Sequence, residues 1–228
     1  MSENKMKIDI SAAYNILGGQ GEPDIKSRIL LEEAAEEVLK VSTPRIIDRV
    51  CHIEKGNRLF LRDTFIELNG RAIKALLHAC DRSLIFCATL GADVDALIRQ
   101  WQVRDISFAL ALDACANLAV ESLCDIKNDA IKIEYELNEL YVTDRFSPGY
   151  GDFPLETQSS LCAALDTARK IGVFLSESNL MIPQKSITAV IGISESPQKS
   201  RNSGCLGCIK FNSCRFRERG ITCYGQAI

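Results

Sequence analysis

Histidine is nearly missing from this sequence: His52 and His78 are the only two in 228 residues. That leaves little material for histidine-based acid–base chemistry. Long apolar runs are missing as well. None approaches the roughly 18 residues of a bilayer span, and the first ten residues, MSENKMKIDI, lack the apolar core of a secretory signal. An excess of one charge is missing too. With 25% charged residues and a formal net charge of −3, the balance favours neither nucleic acid nor a membrane surface as a partner. There is no internal repeat and no low-complexity tract. These absences predict a cytoplasmic protein of ordinary globular type. The 46% hydrophobic content is enough for a substantial core, predicted over residues 1–198, with a small appendage at 199–228.

The hydrophobic pattern predicts an α+β fold. Residues 1–24 are polar and punctuated by glycine. A helix is expected from Asp24 to Val41, ended by Pro44. RLFLRDTFIEL (58–68) reads as a strand or hairpin, and 70–80 as a helix ending near His78. SLIFCATLG reads as a buried strand, followed by a helix through Trp101. The strongest helical pattern covers 105–133 and is apolar on most sides, which places it in the middle of the domain. A polar turn region occupies 143–156, Leu161 to Ile171 is helical, and ITAVIGIS (187–194) is a β-branched strand. Helices and strands alternate without a βαβ rhythm. Six of the ten cysteines, Cys51, Cys80, Cys87, Cys115, Cys124 and Cys162, are scattered among apolar residues. They are expected to be small buried hydrophobes in a reducing compartment.

The most informative segment is Asp144-Arg145-Phe146-Ser147-Pro148-Gly149-Tyr150-Gly151-Asp152-Phe153-Pro154. Its glycines allow close approach of a ligand to the backbone, and Pro148 stiffens the chain. Arg145 can fork onto a carboxylate, and Tyr150 offers a stacking face and a hydroxyl. Together these groups suit an amino-acid-like, aromatic-bearing ligand. The alternative is a rigid turn with a solvated arginine. Glu121 stands out on the apolar central helix, where a carboxylate needs a cationic partner. That partner is either a ligand amino group or a structural salt bridge.

R-x-x-P-G-Y resembles the S-adenosylmethionine (AdoMet) signature of the activation domain of cobalamin-dependent methionine synthase. The segment Leu175-Ser176-Glu177-Ser178-Asn179-Leu180-Met181-Ile182-Pro183-Gln184-Lys185-Ser186-Ile187-Thr188 is similar to that family's T-E-S-x-x-M-x-P-x-x-S-V-S/T stretch. The helix ending Ala168–Val173 fits the connecting helix between them. The resemblance is clearest over 105–195 and extends from about residue 25. It implies a twisted antiparallel sheet flanked by helices, in a free-standing short form. It implies that Arg145 binds the methionyl carboxylate, that Ser147 and Gly149 touch the ligand through backbone atoms, and that Tyr150 is the signature tyrosine. Glu121 is similar to the family's acidic ligand contact. The chain departs from the family at two points. The histidine after the loop is replaced by Glu156, and the N-terminal Asp-Trp segment is not recognisable. D-x-H-x-x-G, the lower-ligand pattern of cobalamin modules, is absent, so cobalamin is expected only on a partner.

Four further cysteines crowd the tail: Cys205, Cys208, Cys214 and Cys223. Four thiolates within a glycine-rich stretch suit an iron–sulfur cluster or a tetrahedral zinc, and free thiols or a disulfide remain open. Lys199, Arg201, Lys210, Arg215, Arg217 and Arg219 surround them. They could dock an acidic partner or simply form a solvated, metal-stapled tail. Two functional readings follow. In one, the chain is an accessory protein that uses AdoMet to remethylate, reductively, the corrinoid of a partner methionine synthase or related methyltransferase, with an electron-donor protein. In the other, it is a non-catalytic AdoMet-sensing module with a zinc-stapled docking tail.

Overall fold

The computed structural model describes residues 6–64, 66–197, 211–218 and 220. Its centre is built from two strands rich in β-branched and apolar residues, which favour a pleated surface buried on both faces. These are β4 (Arg82–Thr89) and β8 (Ser186–Ser194). They pair antiparallel from Arg82↔Ile193 to Thr89↔Ser186. Strand β1 (Arg45–Lys55) flanks β4, also antiparallel, with Arg45↔Thr89 and His52↔Arg82. Strands β2 (Leu59–Leu61) and β3 (Ile66–Glu67) extend that edge as a hairpin. Strand β5 (Tyr141–Val142) covers the other edge. The sheet order is β3-β2-β1-β4-β8-β5, and every pairing is antiparallel. A separate small hairpin joins β6 (Phe174–Leu175) to β7 (Met181–Ile182).

Helices cover both faces. On one face lie α1 (Ile10–Ile16), α2 (Ile25–Val41), α4 (Ala92–Gln102) and α5 (Ile106–Glu136). They pack on Leu84, Phe86 and Ala88 of β4 and Ala189, Ile191 and Ile193 of β8. On the other face, α3 (Arg71–Leu76), α6 (Thr157–Leu165) and α7 (Thr167–Ile171) enclose a second core with Ile85, Cys87 and Val190. The alternation of side chains along each strand divides the apolar residues between the two cores.

Helix α5 holds the first face together. It has 31 residues, about 46 Å at the α-helical rise. Ala111, Ala114, Ala116 and Ala119 are fully or almost fully buried, and small side chains of this kind let neighbouring helices approach closely. Cys115 donates its thiol to the Leu31 carbonyl of α2 at 3.6 Å. By length and composition α5 is apolar enough to cross a membrane, contrary to the expectation from the sequence. Its apolar character is spent inside the protein, against α1, α2, α4 and the sheet. Asp105 caps it by accepting from Ser107 and Phe108 N–H.

Other expectations needed correction. The polar start contains α1, capped by Asp9. The long strand β1 was not expected. The single helix expected over 161–171 is two helices. Asp166 adopts φ +55° between them, a left-handed conformation that aspartate tolerates better than most residues. The Thr167 hydroxyl donates to Val173 O at 2.8 Å and folds the chain back. The six scattered cysteines are all buried and free, as expected.

Candidate ligand-binding site

The signature loop leaves the edge of the sheet next to β8. Thr143 N–H donates to Gly192 O at 3.0 Å, and Phe146 and Val190 exchange two backbone hydrogen bonds at 2.9 Å. Phe146 turns into the second core and stacks on Phe153, with ring centroids 5.9 Å apart. Arg145 turns the other way, onto α5. Its Nη2 donates to Glu121 Oε2 at 2.6 Å and its Nη1 to Asp125 Oδ1 at 2.5 Å. Burial works against the guanidinium charge, but its hydrogen bond to Asp125 and the charge of Glu121 outweigh it. The pKa of Arg145 moves up from its ordinary value, so the group is a permanent cation.

These groups line an open cavity of about 400 Å³, shared by Lys7, Asp9, Glu121, Ser122, Asp125 and Arg145. The N-terminal segment is fastened there. Lys7 N–H donates to Ser122 Oγ at 3.0 Å, and Asp9 accepts from Ala12 N–H as the cap of α1. Of the charged residues lining this cavity, the sequence singles out Arg145 and Glu121 but not Asp125, Asp9 or Lys7. The signal for Asp125 was its spacing, one helical turn beyond Glu121. It lies in the charged stretch Asp125-Ile126-Lys127-Asn128-Asp129, where no single carboxylate stands out. Asp9 stands where no Asp-Trp pair could be recognised, yet it reaches the same cavity.

The remaining loop residues are placed differently. Ser147, Gly149 and Tyr150 do not line the cavity. Gly149 has φ +87°, a conformation that favours glycine. Its N–H donates inward to Phe153 O at 2.8 Å. Tyr150 is 61% exposed. The loop's far end is pinned by Asp152, whose carboxylate accepts from Arg71 and Ala72 N–H at 2.7 and 2.9 Å. Those two bonds hold its carboxyl below the usual aspartate value. A side chain at Gly70 would meet Asp152 O at 2.6 Å, so the approach requires glycine.

The second motif segment lies at the opposite end of β8. Lys185, immediately before the strand, donates to Asp113 Oδ1 and Asn117 Oδ1 at 2.7 and 2.8 Å. Gln184 N–H donates to Asp95 Oδ2 at 2.7 Å. Ser186 Oγ donates to Pro183 O, and Leu180 N–H donates to Ser176 Oγ. None of these residues lines the Arg145 cavity. Asp113, Asn117, Glu121 and Asp125 follow one another at intervals of four along α5. The two motif segments therefore place their cations on a single polar row.

The sequence matches no family model and no curated protein. Among solved structures, the chain is similar to one described as the MetH reactivation domain bound to AdoHcy. The TM-score is 0.65 at 15% identity, over 95% of this chain and 82% of that one. The fold is that of the MetH reactivation domain. The likeness accounts for the α+β architecture, with its twisted antiparallel sheet between helices. Of the tail cysteines, Cys205, Cys208 and Cys223 lie outside the described residues, as do Lys199, Arg201 and Lys210. Cys214 is half-buried and free. Among the described residues no group of His, Cys, Asp and Glu is placed to hold a metal.

Proposed function

We propose that this chain binds AdoMet at the Arg145 cavity and presents it for reductive remethylation of a corrinoid carried by a partner methionine synthase or related methyltransferase. One observation carries this reading: the signature arginine and Glu121, far apart in sequence, meet at one open cavity. The fold shared with a domain described as bound to AdoHcy supports it.

In this reading AdoMet supplies the methyl group and the corrinoid belongs to the partner. The protein's own work is binding and orientation, which lower the barrier by holding the reacting groups in place. Arg145 forks onto the methionyl carboxylate. Glu121 faces the ammonium. Ser147, Gly149 and Tyr150 lie outside the cavity lining, on the loop against which the part of the ligand extending beyond the cavity would rest. Cys205, Cys208, Cys214 and Cys223 would be the thiolates to hold an iron–sulfur cluster or zinc, a cluster being the form able to relay an electron from a donor protein.

Calorimetry with AdoMet and the full chain tests the binding step, and absence of binding rejects the reading. Methyl transfer from labelled AdoMet to a corrinoid protein under reductant tests the second step. Binding without transfer favours the sensing module. An anaerobic absorption spectrum with metal analysis distinguishes cluster from zinc.

A further inference from the structure

The charges around the cavity are unequal. Three carboxylates, Asp9, Glu121 and Asp125, accompany two cations, Lys7 and Arg145. Asp9 is already engaged as the cap of α1. Glu121 and Asp125 both occupy Arg145, one on each terminal nitrogen. The guanidinium has five N–H donors, but a ligand carboxylate forking onto it beside both would crowd three carboxylates around one cation, so one of the two gives way. Exposure decides which. The Asp125 side chain is 65% exposed and that of Glu121 27%. An exposed carboxylate is rehydrated when its partner is withdrawn, whereas a half-buried one is left short of solvent.

We infer that Asp125 is the exchangeable partner of Arg145 and the residue that makes the site selective for a zwitterionic α-amino-acid group. The ligand's carboxylate takes the place of Asp125 on Nη1. Asp125 stays tethered one turn beyond Glu121 on α5, and the two then accept the ligand's α-ammonium. The exchange keeps every charge at the site paired. A ligand with the carboxylate alone would leave three carboxylates around one guanidinium. A ligand with the ammonium alone would have to share both carboxylates with Arg145. The inference rests on the assignment of AdoMet to this cavity and adds the residue that opens it.

Calorimetry on the full chain compares AdoMet with its analogue lacking the α-amino group, in the wild type, Asp125→Asn and Asp125→Ala. The wild type prefers AdoMet. Both variants lower that preference by roughly fivefold or more, the equivalent of one partly exposed ion pair. The change comes chiefly from tighter binding of the deaminated analogue, whose competitor for Arg145 has gone. AdoMet binding with the same preference in all three proteins overturns the inference and leaves the functional reading standing. No AdoMet binding by the wild type overturns both.

Discussion

Two cations from two motif segments dock on the same helix, and they do different work. Lys185 is 6% exposed and is satisfied by Asp113 and Asn117. It clamps the start of β8 to α5. Arg145 makes the same kind of contact two turns further along, with Glu121 and Asp125, but it does so at the wall of an open cavity. The pairing chemistry is alike in the two places. Burial and access separate a structural clamp from the ligand anchor proposed for Arg145. Both segments contribute to a sequence resemblance, yet only one of them lines this cavity.

Exchanging the roles of these cations breaks the comparison most directly. Arg145→Ala removes the forked anchor. The loss of such a charge pair costs roughly 2–5 kcal/mol of binding, so AdoMet affinity falls by a factor of about 30 or more, read by calorimetry, with a small change in melting temperature. Lys185→Met does the opposite. It removes the buried clamp and lowers folding stability by about 2–4 kcal/mol, read by urea denaturation, while the folded protein keeps its AdoMet affinity. Similar effects of both variants on both measurements would erase the distinction.

Asp152 sharpens it at the loop's far end. The Arg71 and Ala72 N–H groups stabilise its carboxylate in the folded protein and depress its pKa. That contribution is fully present above the unfolded aspartate pKa of about 4 and is lost as pH falls through the lower folded value. The melting temperature of Asp152→Ala therefore lies below that of the wild type by a constant amount at pH 5–7, and the two converge in acid. A gap that does not narrow as the pH falls through that lowered value would contradict the ionised cap.

The smallest effect concerns the cores. Burial pushes the Cys80 thiol to about 11 and the Cys115 and Cys124 thiols to about 12. Thiolate is the reactive form, so native alkylation at pH 8 leaves these three unmodified. Cys162 departs from them. A hydrogen bond from Cys87 lowers its pKa, and it is 6% exposed. It reacts first among the six buried thiols, as peptide mass mapping would reveal.

Strong periodicity made much of this fold legible. The expected ends of α2 and β8 lie within one residue of the observed ones, and α5 begins one residue late and runs three further. Strand β1 escaped because RIIDRVCHIEK mixes charge with β-branched residues and is largely exposed along its length, so neither a buried run nor a clean alternation appears. Helix α1 escaped because seven residues, ISAAYNI, carry too little pattern to separate from a loop. At the site, Arg145 was legible through its motif and Glu121 through its isolation on an apolar helix. Asp125 was hidden by charged neighbours. What distinguishes it is a tertiary contact from a residue twenty positions away.

The row on α5 also determines how precisely a ligand can be positioned. From Asn117, beside the sheet clamp, to Asp125, beside the ligand anchor, is eight residues, about 12 Å of helix. That spacing does not depend on the conformation of the eleven-residue loop that carries Arg145. It behaves as a ruler, with one mark on the sheet and the other at the cavity. Under the proposed function, a partner approaching the ligand would meet a position referenced to 31 residues of packed helix, the kind of rigid support that a reaction between two macromolecules demands.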